Sequence, residues 1–508
     1  MKPTFSLIDE PWIPCIDQQG RPIELGLYDT LARAHTLRAV HGETPVVTAA
    51  LYRLLLAVLQ RVYMPDSMAA WGALWARRRW ETAPLDAYFA AWRHRFDLFD
   101  PTRPFYQAPD VRVKPRPPRP MICLALEMAS GNNATLFDHH TEEIGAAFTP
   151  AEAARILVTI QPFGIAGLSG LPQNFTDGTC TRGAVFLVEG DTLFETFALN
   201  LLPYGDAEPI PSGPEDRPAW EMDDPFTPDR AEPFGYLDYL TWQNRRVLLQ
   251  PEDGPGGTVV RWATMEPALR LAAGLLDPMK HYRRDEKQGM LMLRFREDKA
   301  LWRDSTALFQ LRAPDEVRPP KSFRWLADLS REGMLDERAI YRYMALGMAN
   351  DQAKVHFYRA EHMPLPLEYL NREELVVDLA DALKAAENTG DALCQATRTL
   401  ASAYLTRNPE QKEKPDDVKK LVAHLGAEPH YWSRLEAPFH TLVVALTQDR
   451  DAARTVWQQT LRQVAWDALE RAGRSIGQDA FALKAQVRAR GRLAFLLAKA
   501  LPGLKEEP

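Results

Sequence analysis

Three kinds of stretch in this chain carry residue types at spacings that do chemistry. Asp138-His139-His140 sets a carboxylate beside two imidazoles, the donor types that hold a divalent metal in a nuclease or phosphoesterase. Such a centre needs further carboxylates and histidines from other loops, and with 11 histidines in the chain no second cluster is evident. A polar loop is the plainer reading, and a metal-dependent nuclease or phosphoesterase stands as the alternative function. Gly164, Gly167 and Gly170 are spaced three apart, with Ser169 between the last two. That is neither the G-x-G-x-x-G of a dinucleotide site nor the G-x-S-x-G of a nucleophile elbow, and Leu171-Pro172-Gln173 does not open a phosphate-cradling helix. What the glycines permit is bare backbone laid close against a ligand surface, or simply a tight turn. The third kind is basic. Arg112, Lys114, Arg116 and Arg119 lie on a proline-rich strip. Lys280, Arg283, Arg284 and Lys287 follow Asp277-Pro278. Lys484, Arg488 and Arg492 step by four along one helix face, with Lys499 near the same stripe. Any one of these reads as a solvated face; three in a chain of net charge −7 point to polyanion contact on several surfaces.

The elements that must position these residues fall into two regions. With 508 residues the chain exceeds one core, so two or three domains are expected. Hydrophobic content of 46% and charged content of 25% supply a globular interior, which argues against disorder. The net negative charge confines nucleic-acid contact to local patches or a basic partner. Cys15, Cys123, Cys180 and Cys394 are scattered without a C-x-x-C pair, so neither a disulfide framework nor a zinc cage is expected and a reducing compartment fits. The N-terminus shows no apolar run of signal-peptide length, and no membrane span is expected, so the expected location is cytoplasmic.

Thr44-Pro45 reads as an N-cap with proline at the first helical position, and Leu51, Leu54, Leu55, Val58, Leu59 and Val62 give 45–63 as a helix with one buried face. Residues 184–188 and 290–296 read as strands. After Pro364-Leu365-Pro366 the composition shifts to helix formers, with Asn371 and Glu374 as a capping box and breaks at Gly390, Pro415, Gly426 and Gly473–Gly477. The fold class is therefore α+β: an irregular mixed domain over 1–365, then a helical bundle over 366–508 of four or five helices.

Several segments in order resemble one family. Leu7-Ile8-Asp9-Glu10-Pro11-Trp12-Ile13-Pro14 is similar to the L-I-D-x-W-I-P opening of CasA proteins, the large subunits of type I-E CRISPR surveillance (Cascade) complexes, with one extra residue, Pro11, before the tryptophan. Asn132 to His139 resembles that family's mobile loop with its functional phenylalanine, and Gly164–Gly170 its glycine-rich loop. Arg182-Gly183, Glu189-Gly190-Asp191-Thr192-Leu193 and Ala198-Leu199-Asn200-Leu201-Leu202 follow in the family's order. Asn350-Asp351-Gln352-Ala353 resembles its N-x-Q-A element. The likeness spans essentially the whole chain. One departure is the absence of cysteine from 203–265, where some members carry a cluster, so no metal site or other cofactor is carried over.

The resemblance implies a non-catalytic subunit that recognises a protospacer-adjacent motif in double-stranded DNA from the minor groove, starts strand separation and helps recruit a helicase–nuclease. Its implied partners are the other complex subunits, the guide RNA and target DNA. It implies DNA contact by Gly164, Gly167, Ser169, Gly170, Asn350 and Gln352, the last as a wedge, and by a probing lysine. Lys280 and Lys287 are both candidates, Lys287 fitting the spacing slightly better. Lys484, Arg488 and Arg492 would hold the displaced strand. Asn133, Leu136, Phe137 and Asp138 would form the loop that docks on the complex. A scaffold without DNA contact is the third possibility.

Overall fold

The computed structural model describes residues 3–112, 117–126, 128, 146–166, 175–205, 207, 209–311, 315–351, 354–406 and 413–502. The chain divides into two compact units. The first comprises Met1–Leu301, Leu311–Glu337 and Tyr341–His362; the second comprises Trp302–Gln310, Arg338–Ile340 and Met363–Pro508. The architecture is α+β, with sheet and helix mixed in the first unit and helices dominating the second. The expected division at 365/366 sits a few residues beyond the observed one. It also misses Trp302–Gln310 and Arg338–Ile340, which belong with the helices. Nothing local marks those segments as bundle residues; their partners are far away in sequence.

The first unit is built around the helix Pro45–Tyr63. Thr44 caps it, accepting from the Val47 amide at 3.4 Å, and Pro45 starts it without wasting a donor. Every residue from Val46 to Gln60 is buried, so the expected single buried face is corrected to burial all round. This helix is long and apolar enough to cross a membrane, but 83% of its apolar window lies inside the unit, as suits a core helix. Among the described residues the strands form four three-stranded sheets rather than one large sheet. In one, Ile340–Asp351 pairs antiparallel with Val185–Glu189 and neighbours Lys354–Pro366. In another, Tyr282–Asp285 pairs antiparallel with both Gly289–Met292 and Val317–Arg318. The expected strand 290–296 therefore ends at Met292. The opening segment is core: Trp12 is fully buried and its indole N–H donates to the Leu7 carbonyl at 2.8 Å.

The second unit contains five described helices after residue 372: Glu373–Leu405, Pro415–Leu425, Ala427–Ala445, Arg450–Ser475 and Ala480–Ala500. Two local expectations are corrected. Asn371 ends a one-turn helix, Glu368–Asn371, and Arg372 takes the N-cap position of the long helix, with no side-chain cap. Gly390 does not break that helix; it lies within it because a side chain there would press on Trp432, whose ring would come within 3.1 Å of an added Cβ. Gly426 does end a helix, in the left-handed conformation at φ 60°. Trp302 fills the interior, its ring 4.6 Å from that of Phe439, and the Arg303 guanidinium lies 3.6 Å from the centroid of Trp432.

Candidate nucleic-acid interface

The base of the glycine-rich loop is a dense set of contacts within the first unit. The helix Pro150–Phe163 leads into it, started by a capping box in which Thr149 and Glu152 satisfy each other's backbone amides. Gly164 caps its end. There is no room for a side chain there: a Cβ would sit 2.2 Å from Cζ of Arg245 and 2.5 Å from the Ile160 carbonyl oxygen. Arg245 is fully buried at the start of the strand Arg245–Gly254. Its Nη1 donates to Asn244 Oδ1 at 2.6 Å, and its Nη2 donates to the carbonyls of Ile165 at 3.1 Å and Thr176 at 3.2 Å. One guanidinium thus holds the chain on both sides of 167–174. Burial without a carboxylate in direct contact pushes its pKa down to about 10, against a smaller opposing pull from Asp177.

The returning segment is fixed as firmly. The Gly178 amide donates to the Gly164 carbonyl at 2.8 Å, and the Thr181 hydroxyl donates to the same oxygen at 2.9 Å. Cys180 N donates to the Pro162 carbonyl at 2.7 Å, and Ala166 N to Asp177 Oδ1 at 2.9 Å. Lys280 belongs to this scaffold. It is 3% exposed, and its Nζ donates to the carbonyls of Thr179 at 2.6 Å and Arg182 at 2.8 Å. An ammonium spent on two interior carbonyls is not presented to a groove, which corrects its place among the surface contacts. Next to it Asp277 is buried and pairs with Arg53 at 3.0 Å while accepting from the Tyr239 hydroxyl at 2.9 Å. Burial alone would raise the Asp277 pKa, but Arg53 and Lys280 outweigh it and hold the carboxyl below its usual range.

Lys287 is placed otherwise. It is exposed on the turn between Tyr282–Asp285 and Gly289–Met292. Asp285 Oδ1 shapes that turn by accepting from the amides of Lys287 and Gln288, each at 2.9 Å, and those bonds lower its pKa. Arg283 and Arg284 are exposed on the same hairpin. The hairpin packs against Gly183, whose φ of 80° suits glycine and whose added Cβ would lie 3.0 Å from Met292. The strand bearing Asn350 meets the same point: Leu346 is in register with Val185, and a Cβ on Gly347 would lie 3.3 Å from the Gly183 carbonyl oxygen. Asn350 itself is half-buried near that strand's end.

The hairpin of Lys287 and the strand of Asn350 therefore meet at Gly183, two residues beyond Thr181, which bonds the Gly164 carbonyl. Gly164 itself is buried, its amide and carbonyl both bonded in the interior, so it anchors the base of the loop, which corrects its place among the DNA contacts. Gly167, Ser169, Gly170, Gln352, Asn133, Leu136, Phe137 and the Asp138-His139-His140 run lie outside the described residues. Among the described residues no three His, Cys, Asp or Glu side chains converge to hold a metal. In the second unit Lys484 and Arg488 are exposed on Ala480–Ala500. Arg492 is exposed too, and donates to Gln395 Oε1 at 3.0 Å. Sequence reasoning missed Arg245, and it noted Gly183 only as part of the resemblance, with no role assigned. The polar run Asn244-Arg245-Arg246 ahead of apolar Val247-Leu248-Leu249 was the available signal for the first; a left-handed glycine has none.

Comparison with known proteins agrees with this architecture. The family model for CRISPR-associated protein Cse1 matches residues 6–468. A CRISPR-associated protein CasA/Cse1 of Thermus thermophilus is 34% identical over 499 residues, which cover 95% of each chain. The crystal structure of Cse1 from Acidimicrobium ferrooxidans superposes with a TM-score of 0.82 at 27% identity, covering 99% of both chains. A chain of a CRISPR RNA-guided surveillance complex shares the fold, with a TM-score of 0.76 at 24% identity over 97% of this chain and 100% of that one. With a family model spanning most of its length and a relative above 30% identity across nearly all of it, the chain belongs to the Cse1 (CasA) family of CRISPR-associated proteins.

Proposed function

We propose that this chain is the large subunit of a type I-E guide-RNA surveillance complex, and that its first unit reads a short motif in duplex DNA and starts strand separation without breaking a bond. The observation that carries the reading is the meeting at Gly183 of the Lys287 hairpin and the strand of Asn350, beside the anchored base of the glycine-rich loop. A minor groove is narrow, and its floor offers mainly acceptors on A·T pairs. Glycine backbone fits such a space, and an exposed lysine on a tight turn supplies the donors. Gln352 then enters the base stack beside the motif, where unstacking costs a few kcal/mol per step, offset by phosphate contacts and the first guide–target pairs. The loop around Phe137 docks on the complex, and Lys484, Arg488 and Arg492 hold the displaced strand. The opened complex recruits a helicase–nuclease, and the assembly works in the cytoplasm. The alternative of a metal centre at Asp138-His139-His140 gains no support from any described residue.

The test uses the complex reconstituted with guide RNA and other subunits. Lys287→Ala weakens binding of motif-bearing duplex by about tenfold or more, the equivalent of one lost base-edge contact, and leaves duplex without the motif unaffected. Gln352→Ala reduces strand opening, read by permanganate reactivity, more than it reduces duplex binding. Equal loss on both duplexes from Lys287→Ala refutes motif reading by that hairpin.

A further inference from the structure

The first unit carries a second donor-rich site that motif reading does not use. A cleft of about 490 Å³ opens between the segment at Leu202, Pro203 and Pro209 and the start of the helix Lys321–Arg331. Its charged lining is Arg318, Lys321 and Arg324 against Asp315 and Asp328. The cations stand at the helix's positive end, where acidic residues are favoured, yet its first turn contains no acidic residue and Pro320 at the N-cap gives no side-chain cap. Asp328 is already engaged by Arg331 at 2.6 Å, and Lys321 reaches across to the Pro209 carbonyl, which ties the two walls together. Arg318 and Arg324 are exposed, and among the described residues neither guanidinium has a hydrogen-bond or ion-pair partner. Trp325 forms part of the wall, is 6% exposed, and its indole N–H has no acceptor.

We propose that this cleft binds a phosphodiester of a nucleic-acid strand. The ligand must bring acceptors and negative charge to two unengaged guanidiniums, whose planar forks suit phosphate oxygens. The volume is far larger than one phosphate needs and suits a nucleotide unit, with its sugar or base against the apolar wall of Leu202, Pro203 and Pro209. The site does not depend on the motif-reading role assigned to the Lys287 hairpin, and its test uses single strands that carry no duplex motif.

The test measures binding of fluorescein-labelled eight-nucleotide RNA and DNA to the full chain by anisotropy across salt concentrations. Arg318→Gln with Arg324→Gln weakens strand binding by about tenfold or more and flattens the salt dependence by roughly 1.4 in log–log slope, the share of two phosphates on a single strand. Asp315→Arg, which removes an opposing exposed charge, strengthens binding several-fold, a gain that misfolding cannot imitate. Adenosine monophosphate and inorganic phosphate serve as competitors. Displacement of the strand by millimolar monophosphate alone identifies a free nucleotide as the ligand and overturns the strand assignment. Binding of an octaglutamate peptide in preference to either oligonucleotide likewise overturns it. Unchanged affinity and slope in both arginine and aspartate variants refute the site.

Discussion

Gly164→Ala puts the sharpest demand on the loop base, because the surroundings of the new methyl are fully defined. Its Cβ would stand 2.2 Å from Cζ of Arg245, 2.4 Å from Nη1 and 2.5 Å from the Ile160 carbonyl oxygen. The carbonyl belongs to a helix and the guanidinium is fully buried, so neither yields as a surface side chain would. If the backbone shifts, the cost is that of overpacking, about 1–3 kcal/mol. If Arg245 withdraws, hydrogen bonds to Asn244, Ile165 and Thr176 weaken together, and bonds from a charged donor are worth about 1.5–3 kcal/mol each before non-additivity. The expected loss is about 3–5 kcal/mol of local stability. Arg245→Met removes the guanidinium side of the clash, though not the Ile160 carbonyl, and leaves its own acceptors unpaired, at about 2–4 kcal/mol. The double variant lets the alanine methyl shift into the vacated space, so its cost falls below the sum of the two single variants, with a coupling of about 1–3 kcal/mol. Native-state hydrogen exchange at the amides of Gly178 and Cys180, which bond to Gly164 and Pro162, reports that local free energy directly. Additivity of the two substitutions within about 0.5 kcal/mol would refute a steric clash between these residues.

Lys280→Met strands the carbonyls of Thr179 and Arg182 in the interior, so it lowers the melting temperature and local protection by the equivalent of about 2–4 kcal/mol; Lys287→Ala, on the exposed turn, leaves the melting temperature unchanged. His362 Nδ1 donates to a Glu189 carboxylate oxygen at 2.7 Å, and that bond raises its pKa above the usual value despite partial burial. Its contribution is fully present below the unfolded value of about 6.5 and is lost as pH rises through the higher folded value. Because the ring is half exposed, the effect stays below about 1 kcal/mol after screening; a stability–pH profile of His362→Gln lacks this step. Asp378→Ala deprives Arg450 and Arg454 of their shared, buried carboxylate in the second unit. Both arginines are half exposed and regain water, so exchange protection in Glu373–Leu405 falls by only about 1–3 kcal/mol.

What could be read from the sequence is what short-range chemistry decides. Thr44-Pro45 starts a helix because a hydroxyl acceptor and a donor-less first residue act within one turn. The α+β division follows the same logic, since helix formers accumulate after Pro366. Apart from the cap at Asn371, which moves by one residue to Arg372, the main misreadings involve partners distant in sequence. Gly390 looked like a break because glycine disfavours helices, yet Trp432 needs the space its side chain would fill. The spacing of Leu51, Leu54, Leu55, Val58, Leu59 and Val62 marks one apolar face of the helix Pro45–Tyr63, yet Thr48, Arg53 and Gln60 are buried as well. Arg53 is buried by pairing with Asp277, 224 residues away. Trp302–Gln310 joined the helices of the second unit through contacts no local pattern announces.

The two lysines show why basic patches in a sequence overstate a binding surface. Lys280 and Lys287 are seven positions apart, both follow Asp277-Pro278, and composition gives no ground to rank them beyond spacing. In the folded chain one donates to two carbonyls in the interior and the other stands in water on a turn shaped by Asp285. Arg245 repeats the first fate: a guanidinium used as a staple for backbone oxygens of the loop base. A chain of net charge −7 therefore has fewer cations for phosphate than its patches suggest, because several are consumed in positioning the backbone that approaches the ligand. The same accounting picks out the cleft at Arg318 and Arg324. Those guanidiniums have neither an interior acceptor nor an ion pair among the described residues, and they line an open cleft. Cations that already have oxygens hold the fold, and cations that lack them are the ones available to a strand.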